Sequence, residues 1–359
     1  MKIQTTELKS ALDRLSKING KRSTLPVLSC VRVSAENNTL ELVASNLDEY
    51  QRESIPCVGE LPPCCVSTLK LQWSLGGESV EIEMQAGKML VTFDNNETNL
   101  AVLEAEEFPK WPDDKTENIG VCCTELAESI DKVSWAACAI GLGRYELESV
   151  HIQGSSKLLV CESASTNVAA RIESKLIGSA FEIIVPVMSS ANLCDSLNRK
   201  ESILSVCEKF IQVNHSGGAY LTKQLDGKYP DVKSAFPSNI DKVGVVTKDE
   251  FKTTFERCSF YSTVEIAHAA CVQFDFSKSG CMIWFAGSND KSKGRVSGNF
   301  ESASWLFSSE LFKRILNGIT GKAFYVFASD RKSVGPIVIE DGDLKIVAMP
   351  TVPQTSKTK

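Results

Sequence analysis

The sequence predicts an α+β fold made of one domain repeated three times, each copy two helices packed on antiparallel sheet. Three observations predict it. A glutamate-led amphipathic segment recurs at Glu7, Glu125 and Glu250, at spacings of 118 and 125 residues. A serine closing a β-rich run recurs at those same offsets, at Ser45, Ser163 and Ser288, and an alternating segment runs into Pro109, Pro230 and Pro350. A period near 120 is a domain length and too long for a solenoid repeat, so the three stretches read as one triplicated domain.

The first helix of each copy follows from its apolar spacing. Leu8, Leu12 and Leu15, then Leu126, Ile130 and Val133, then Phe251, Phe255 and Cys258 each form one helical stripe at i, i+4 and i+7. Each stripe ends beside an acid followed by a base: Asp13-Arg14, Asp131-Lys132, Glu256-Arg257. Thr6, Thr124 and Asp249 precede the repeated glutamate and suit an N-cap, with the acid in the positive first turn. A second helix is expected over Ser67 to Leu75, Ser189 to Leu197 and Ser309 to Ile319. The remainder alternates like half-buried strands, as in Val80-Glu-Ile-Glu-Met84 and Phe324-Tyr-Val-Phe327. Polar, proline-containing stretches at Lys110 to Asn118 and Pro237 to Lys242 set the boundaries. The expected domains are 1–117, 118–241 and 242–353, with a polar, aperiodic and mobile tail over 354–359.

Composition narrows the function. Charged residues make up 23% and hydrophobic residues 43%, values of a soluble globular protein. With 39 basic and 45 acidic residues the net charge is -6, so any nucleic-acid contact must come from a local basic surface. No apolar run reaches the length of a membrane span, and the charged N-terminus does not read as a signal peptide. The expected location is the cytoplasm, and the 13 cysteines, in no CxxC array, are expected as reduced structural thiols. Neither metal nor cofactor is expected. No phosphate-binding glycine loop occurs, and His151, His215 and His268 have no motif partner. The rival class is a cytosolic enzyme with a thiol nucleophile, for which Cys258 and Cys281 are the candidates.

Several runs carry a resemblance: Thr24-Leu-Pro-Val-Leu-Ser29, Leu40 to Asp48, Glu107-Phe-Pro109, Arg144-Tyr-Glu-Leu147, Leu225-Asp-Gly-Lys-Tyr-Pro-Asp231 and Val347-Ala-Met-Pro350. Together they span the chain, and with the threefold repeat they make it similar to the bacterial DNA polymerase sliding clamp, the beta subunit of DNA polymerase III. The resemblance implies a head-to-tail homodimeric ring of six domains around duplex DNA, a processivity factor for DNA replication that does no chemistry itself. It implies as partners the polymerase, the clamp loader and repair proteins, which dock through short peptides.

Sites follow from the resemblance. A ring sliding on DNA needs mobile Lys and Arg contacts to phosphates without base reading. The candidates are Lys9, Lys17, Lys21 and Arg22, which lie off the first stripe, and Lys70, Lys132, Arg199, Lys200, Lys252, Lys313 and Arg314 on the other helices. Arg22 stands where clamps carry a DNA-contacting arginine, whereas Met188 stands where they carry a base. The implied peptide pocket has as its wall Leu147, Ser163, Ala164, Ser165, Thr166, Asn167, Val168, Pro230, Ser234, Ala235, Pro336, Val347, Met349 and Pro350. Leu147, Val347 and Met349 equally suit completion of a domain core. Ser163 to Ala169 replaces a family run containing His and Arg, and the tail is longer than in many clamps, as in a divergent or phage-borne member. Phe260-Tyr261 stands where clamps place apolar interface residues, and serves equally as local core.

Overall fold

In a computed structural model describing residues 1–19, 25–141, 144–175, 179–265, 270–286, 290–330 and 335–351, one order of elements occurs three times. The first copy runs β1 (Lys2–Gln4), α1 (Thr5–Ile18), β2 (Cys30–Glu36), β3 (Thr39–Ser45), β4 (Glu49–Pro56), β5 (Leu61–Ser67), α2 (Thr68–Trp73), β6 (Ser79–Gln85), β7 (Lys88–Phe93) and β8 (Asn96–Leu103). The second runs β9 (Glu117–Ile119), α3 (Cys123–Ser134), β10 (Ser149–Gly154), β11 (Leu158–Ala164), β12 (Val168–Lys175), β13 (Phe181–Pro186), α4 (Val187–Leu197), β14 (Ile203–Val206), β15 (Phe210–His215) and β16 (Gly218–Lys223). The third runs β17 (Asp241–Thr247), α5 (Lys248–Glu265), β18 (Cys271–Ser277), β19 (Gly280–Ala286), β20 (Lys291–Val296), β21 (Ala303–Ser308), α6 (Ser309–Gly318), β22 (Ala323–Ala328), β23 (Ile337–Asp341) and β24 (Leu344–Ala348).

Each copy divides its strands into two groups of four with the same pairing. In the second copy these are β9-β14-β15-β16 and β13-β10-β11-β12, and in the third β17-β22-β23-β24 and β21-β18-β19-β20. All pairings are antiparallel, which short hairpin turns permit. The sheets continue past the ends of the repeats. β4 pairs with β16, so a 12-stranded sheet contains the first copy and half of the second, and β12 pairs with β24, giving an 8-stranded sheet. Two compact units result, Met1–Ala127 with Ala191–Gln224, and Glu128–Ser190 with Leu225–Lys359.

The helix stripes form the cores. Leu8, Leu12, Leu15, Leu126, Ile130, Val133, Phe255 and Cys258 are wholly buried, and Phe251 nearly so. Burying a side chain of this size stabilises by about 1.5–3 kcal/mol, so these positions dominate each repeat. In the third copy the stripe is aromatic, and Phe251 and Phe255 pack against Phe274 and Phe312.

Two local expectations need correction. The helices begin before the expected caps, at Thr5, Cys123 and Lys248, because a strand feeds directly into each of α1 and α5. Gln4 is the residue at the α1 cap position and makes no side-chain cap bond, and Thr5 Oγ1 instead donates to Gly76 O at 3.0 Å. The stretches read as linkers are also pinned. Trp111 packs edge-on against Tyr50, with ring centroids 5.9 Å apart, and Ile240 packs on a buried cluster in the second unit, as does Phe236 just before the second stretch.

Candidate functional site

Within the second unit, β12 and β24 pair from Val168 opposite Ala348 to Ile172 opposite Leu344. The ladder extends one step, because Met349 N donates to Asn167 O at 2.9 Å. This brings the 163–168 segment beside the Val347 to Pro350 segment. Tyr229 anchors the first of these segments: its hydroxyl accepts from Ala164 N at 3.1 Å and donates to Ser149 O at 3.4 Å. Ala164, Ala169, Tyr229, Val232, Val338 and Val347 form a buried cluster, with Leu147, Leu225, Phe236 and Ile240 packed on it.

The expected wall residues divide by depth. Thr166, Asn167, Ser234, Ala235 and Met349 are exposed, and Leu147, Ser165, Pro230 and Pro336 are half-buried. Val168, Val347 and Pro350 are buried, so the first two complete the core beneath that surface. Ser163 is wholly buried and its hydroxyl donates to Val133 O, which fastens β11 to α3. Met349 is 42% exposed, unusual for a large apolar side chain beside a core cluster.

The sequence reading missed an adjoining cleft of about 370 Å³ in the same unit. Phe236, Pro237, Ile240 and Val338 form its apolar lining, and Arg171, Lys233, Glu340 and Lys345 its charged rim. The signal was the apolar Ile240 within the stretch read as linker, and Phe236 just before it.

A second missed feature lies beside the buried cluster around Tyr229. His151 on β10 is buried, with Nδ1 2.9 Å from Glu162 Oε1 and Nε2 3.0 Å from Glu182 Oε1. Burial works to lower its pKa, but bonding and charge from the two glutamates outweigh that and raise it. Arg171 holds the other oxygen of Glu162 and also pairs with Glu173 at 2.7 Å.

The basic candidates differ in availability. Lys9, Lys70, Lys200 and Lys313 are exposed. Lys17 pairs with Asp195 at 2.5 Å, Lys132 is half-buried, and Lys252 reaches Glu256 at 3.9 Å. Arg314 donates to the carbonyls of Trp135 and Ala137 and so caps the end of α3. Lys21 and Arg22 lie outside the described residues, as does the 354–359 tail. Met188 is exposed on α4, and α2 presents Leu69 and Trp73 to solvent.

Arg199 is drawn into a network the sequence did not reveal. Glu53 on β4, 1% exposed, accepts from Arg14 Nε at 2.9 Å and Nη2 at 2.7 Å, from Gln51 at 2.7 Å and from Arg199 at 3.3 Å. His215 lines the same cavity, and burial together with Arg199 and Arg14 lowers its pKa. The acid-base pair closing each helix stripe was the available signal for Arg14.

The thiol candidates have no catalytic setting. Cys258 and Cys281 are buried, and burial pushes both thiols up, away from the thiolate a nucleophile needs. Among the described residues no three His, Cys, Asp or Glu side chains gather to hold a metal.

Residues 1–112 match the family model of the DNA polymerase III beta subunit, N-terminal domain. The chain is 24% identical over 277 residues to the beta sliding clamp of Pseudomonas putida, covering 72% of this chain and 74% of that protein. To the beta sliding clamp of Bacillus subtilis it is 22% identical over 275 residues, covering 72% and 73%. Among solved structures, it is similar to a Pseudomonas aeruginosa sliding clamp bound to griselimycin, with a TM-score of 0.88 at 19% identity over 98% of this chain and 99% of that one. A Helicobacter pylori beta clamp bound to a DNA ligase peptide gives 0.84 at 15% identity, again over 98% and 99%.

Proposed function

We propose that this chain, a member of the beta sliding clamp family, encircles duplex DNA as a homodimeric ring and tethers DNA polymerase and other DNA-processing proteins to it. It is a non-catalytic processivity factor. The observation carrying the ring is the repeated sheet junction. The fourth strand of one repeat pairs with the eighth of the next, β4 with β16 and β12 with β24. One fourth strand, β20, and the outer edge of one eighth strand, β8, remain without such a partner among the described residues. Leftover complementary ends of this kind make a heterologous surface, which closes into a ring when a second copy supplies the missing strands.

Three domains, 1–117, 118–241 and 242–353, follow as the repeating units of that ring, with Phe260 and Tyr261 beside the closing surface. DNA is held through phosphates alone. The net charge of -6 leaves that work to exposed lysines, foremost Lys9 on α1, Lys70 on α2 and Lys200 just past the end of α4, together with Lys21 and Arg22, which follow α1 in the sequence. Lys132, Lys252 and Arg199 are secondary, since each is half-buried and the last two are already paired. The polymerase, the clamp loader and repair proteins dock as short peptides on Leu147, Thr166, Asn167, Pro230 and Met349, whose mixture of apolar surface and exposed turn supports that use. The ligase peptide on the Helicobacter pylori clamp supports it too. The site of action is the cytoplasm; among the described residues no helix is long and apolar enough to cross a membrane.

The solution mass tests the ring. It should be twice 39.2 kDa at micromolar concentration. A monomer at that concentration overturns the reading.

A further inference from the structure

One cross-strand row recurs at the same place in all three repeats. The third and fourth strands of each repeat meet across a turn, where Ser45 faces Tyr50, Ala164 faces Ala169 and Ala286 faces Lys291. Two residues in from that turn the row reads Arg32, Val43, Arg52 in the first repeat, His151, Glu162, Arg171 in the second and Gln273, Trp284, Lys293 in the third. In the first repeat it faces away from α1, because Glu53, the next residue of β4, meets Arg14 of that helix and side chains alternate along a strand.

The middle residue decides what the row lacks. In the second repeat one oxygen of Glu162 lies 2.9 Å from His151 Nδ1 and the other accepts from Arg171, so a single carboxylate serves the groups on both sides. In the first repeat that position is Val43, and the row holds two arginines with no acid between them. Arg32 reaches only Glu41, at 3.5 Å, in a long and partly exposed pair. Arg52 has no ion-pair partner among the described residues, and its guanidinium carbon lies 5.1 Å from the centre of the Trp111 ring. All three members of the row line a cleft of about 350 Å³, with Phe108, Pro109 and Trp111 extending its apolar lining and Lys110 adding a further positive charge.

We propose that this cleft is a second docking site, which takes an acidic peptide segment of a partner protein. One carboxylate of the segment sits between Arg32 and Arg52, as Glu162 sits between His151 and Arg171, and a neighbouring apolar side chain lies on Val43, Phe108 and Trp111. The two arginines stand on strands about 9.6 Å apart, two strand spacings, so their long side chains can converge on one anion. A guanidinium fork matches a carboxylate, and arginine beside tryptophan is a usual anchor pair at interfaces. The volume suits one or two side chains. Glu41 and Glu106 also line the cleft and would repel a polyanion such as DNA, which favours a peptide with a few spaced acids.

Calorimetric titration of the full chain tests this with the capped heptapeptide Gly-Glu-Leu-Glu-Leu-Glu-Gly and its analogue carrying glutamine for glutamate. The acidic peptide should bind at low salt with a Kd of about 1 mM or tighter, and the analogue at least tenfold more weakly. Added salt should weaken the acidic peptide. Arg32→Gln and Arg52→Gln, both at half-buried positions, should keep the circular dichroism and solution mass of the wild type while each weakens the acidic peptide at least tenfold. Met349→Ala should leave its Kd unchanged, which separates this site from the docking surface proposed above. No binding, or equal binding of both peptides, overturns the proposal. So does binding that Met349→Ala weakens and Arg52→Gln does not. Oligothymidylate bound more tightly than the peptide, and lost on Arg52→Gln, would make the cleft a nucleic-acid site and overturn the peptide assignment.

Discussion

The imidazole of His151 lies flat against the ring of Tyr229, with centroids 4.9 Å apart and planes 13° from parallel. Tyr229 in turn holds the Ala164 backbone, so a hydrogen-bonded strut from Glu162 and Glu182 through His151 supports the segment on which the proposed docking surface is built. Stability at this point is tied to pH. Since the folded-state pKa of His151 is raised above 6.5, its contribution is complete below that value and is lost as pH rises through the folded-state pKa. His151→Gln should cost about 1–3 kcal/mol in urea unfolding at pH 5.5 and clearly less at pH 9. A difference independent of pH would mean that the ring acts by stacking alone.

The proposed docking surface depends on few apolar contacts. Leu147→Ala and Met349→Ala should each weaken a peptide carrying glutamine, leucine and a terminal leucine-phenylalanine pair at least tenfold in calorimetric titration, since each removes a burial site worth about 1.5–3 kcal/mol. Solution mass should not change. Binding indifferent to both substitutions places partner recruitment elsewhere, with the cleft between Phe236 and Lys345 as the next surface to probe.

Repeat and helices were legible because both are local: an i, i+4, i+7 stripe needs only its own segment, and Leu8, Leu126 and Phe251 are buried as the stripe requires. What escaped was non-local. The pairing of β4 with β16 joins residues about 170 positions apart, and nothing in Glu49 to Glu53 marks its partner. The bidentate grip of Arg14 on Glu53 and the bracket around His151 depend on such pairings, so each looked like an isolated charge. Of the docking surface, the two converging chain segments were legible through the resemblance, while the inward turn of Ser163 was set by packing of β11 on α3.

Arg14→Ala leaves Glu53 buried with Arg199 as its remaining cationic partner at 3.3 Å. Loss of a buried partner of this kind costs about 3 kcal/mol. The urea midpoint should fall accordingly, and Glu53→Gln combined with Arg14→Ala should recover part of the loss. A midpoint unmoved by Arg14→Ala would show that Arg199 and Gln51 suffice.

Phe260 and Tyr261 pack edge-to-face, with centroids 5.6 Å apart, and are 63% and 39% exposed near the end of α5. This is more apolar surface than a monomer's helix end needs. Replacing both with glutamate should give folded monomers by sedimentation. Dimers that persist would remove these two residues from the interface.

Topological linkage to DNA is the central claim, and retention on a closed circle tests it most directly. Loaded onto nicked circular DNA by a clamp loader and passed through a sizing column at moderate salt, the protein should travel with the circle. A single cut in that circle should release it. Equal retention on the cut DNA would mean ordinary groove or phosphate binding and would contradict the ring.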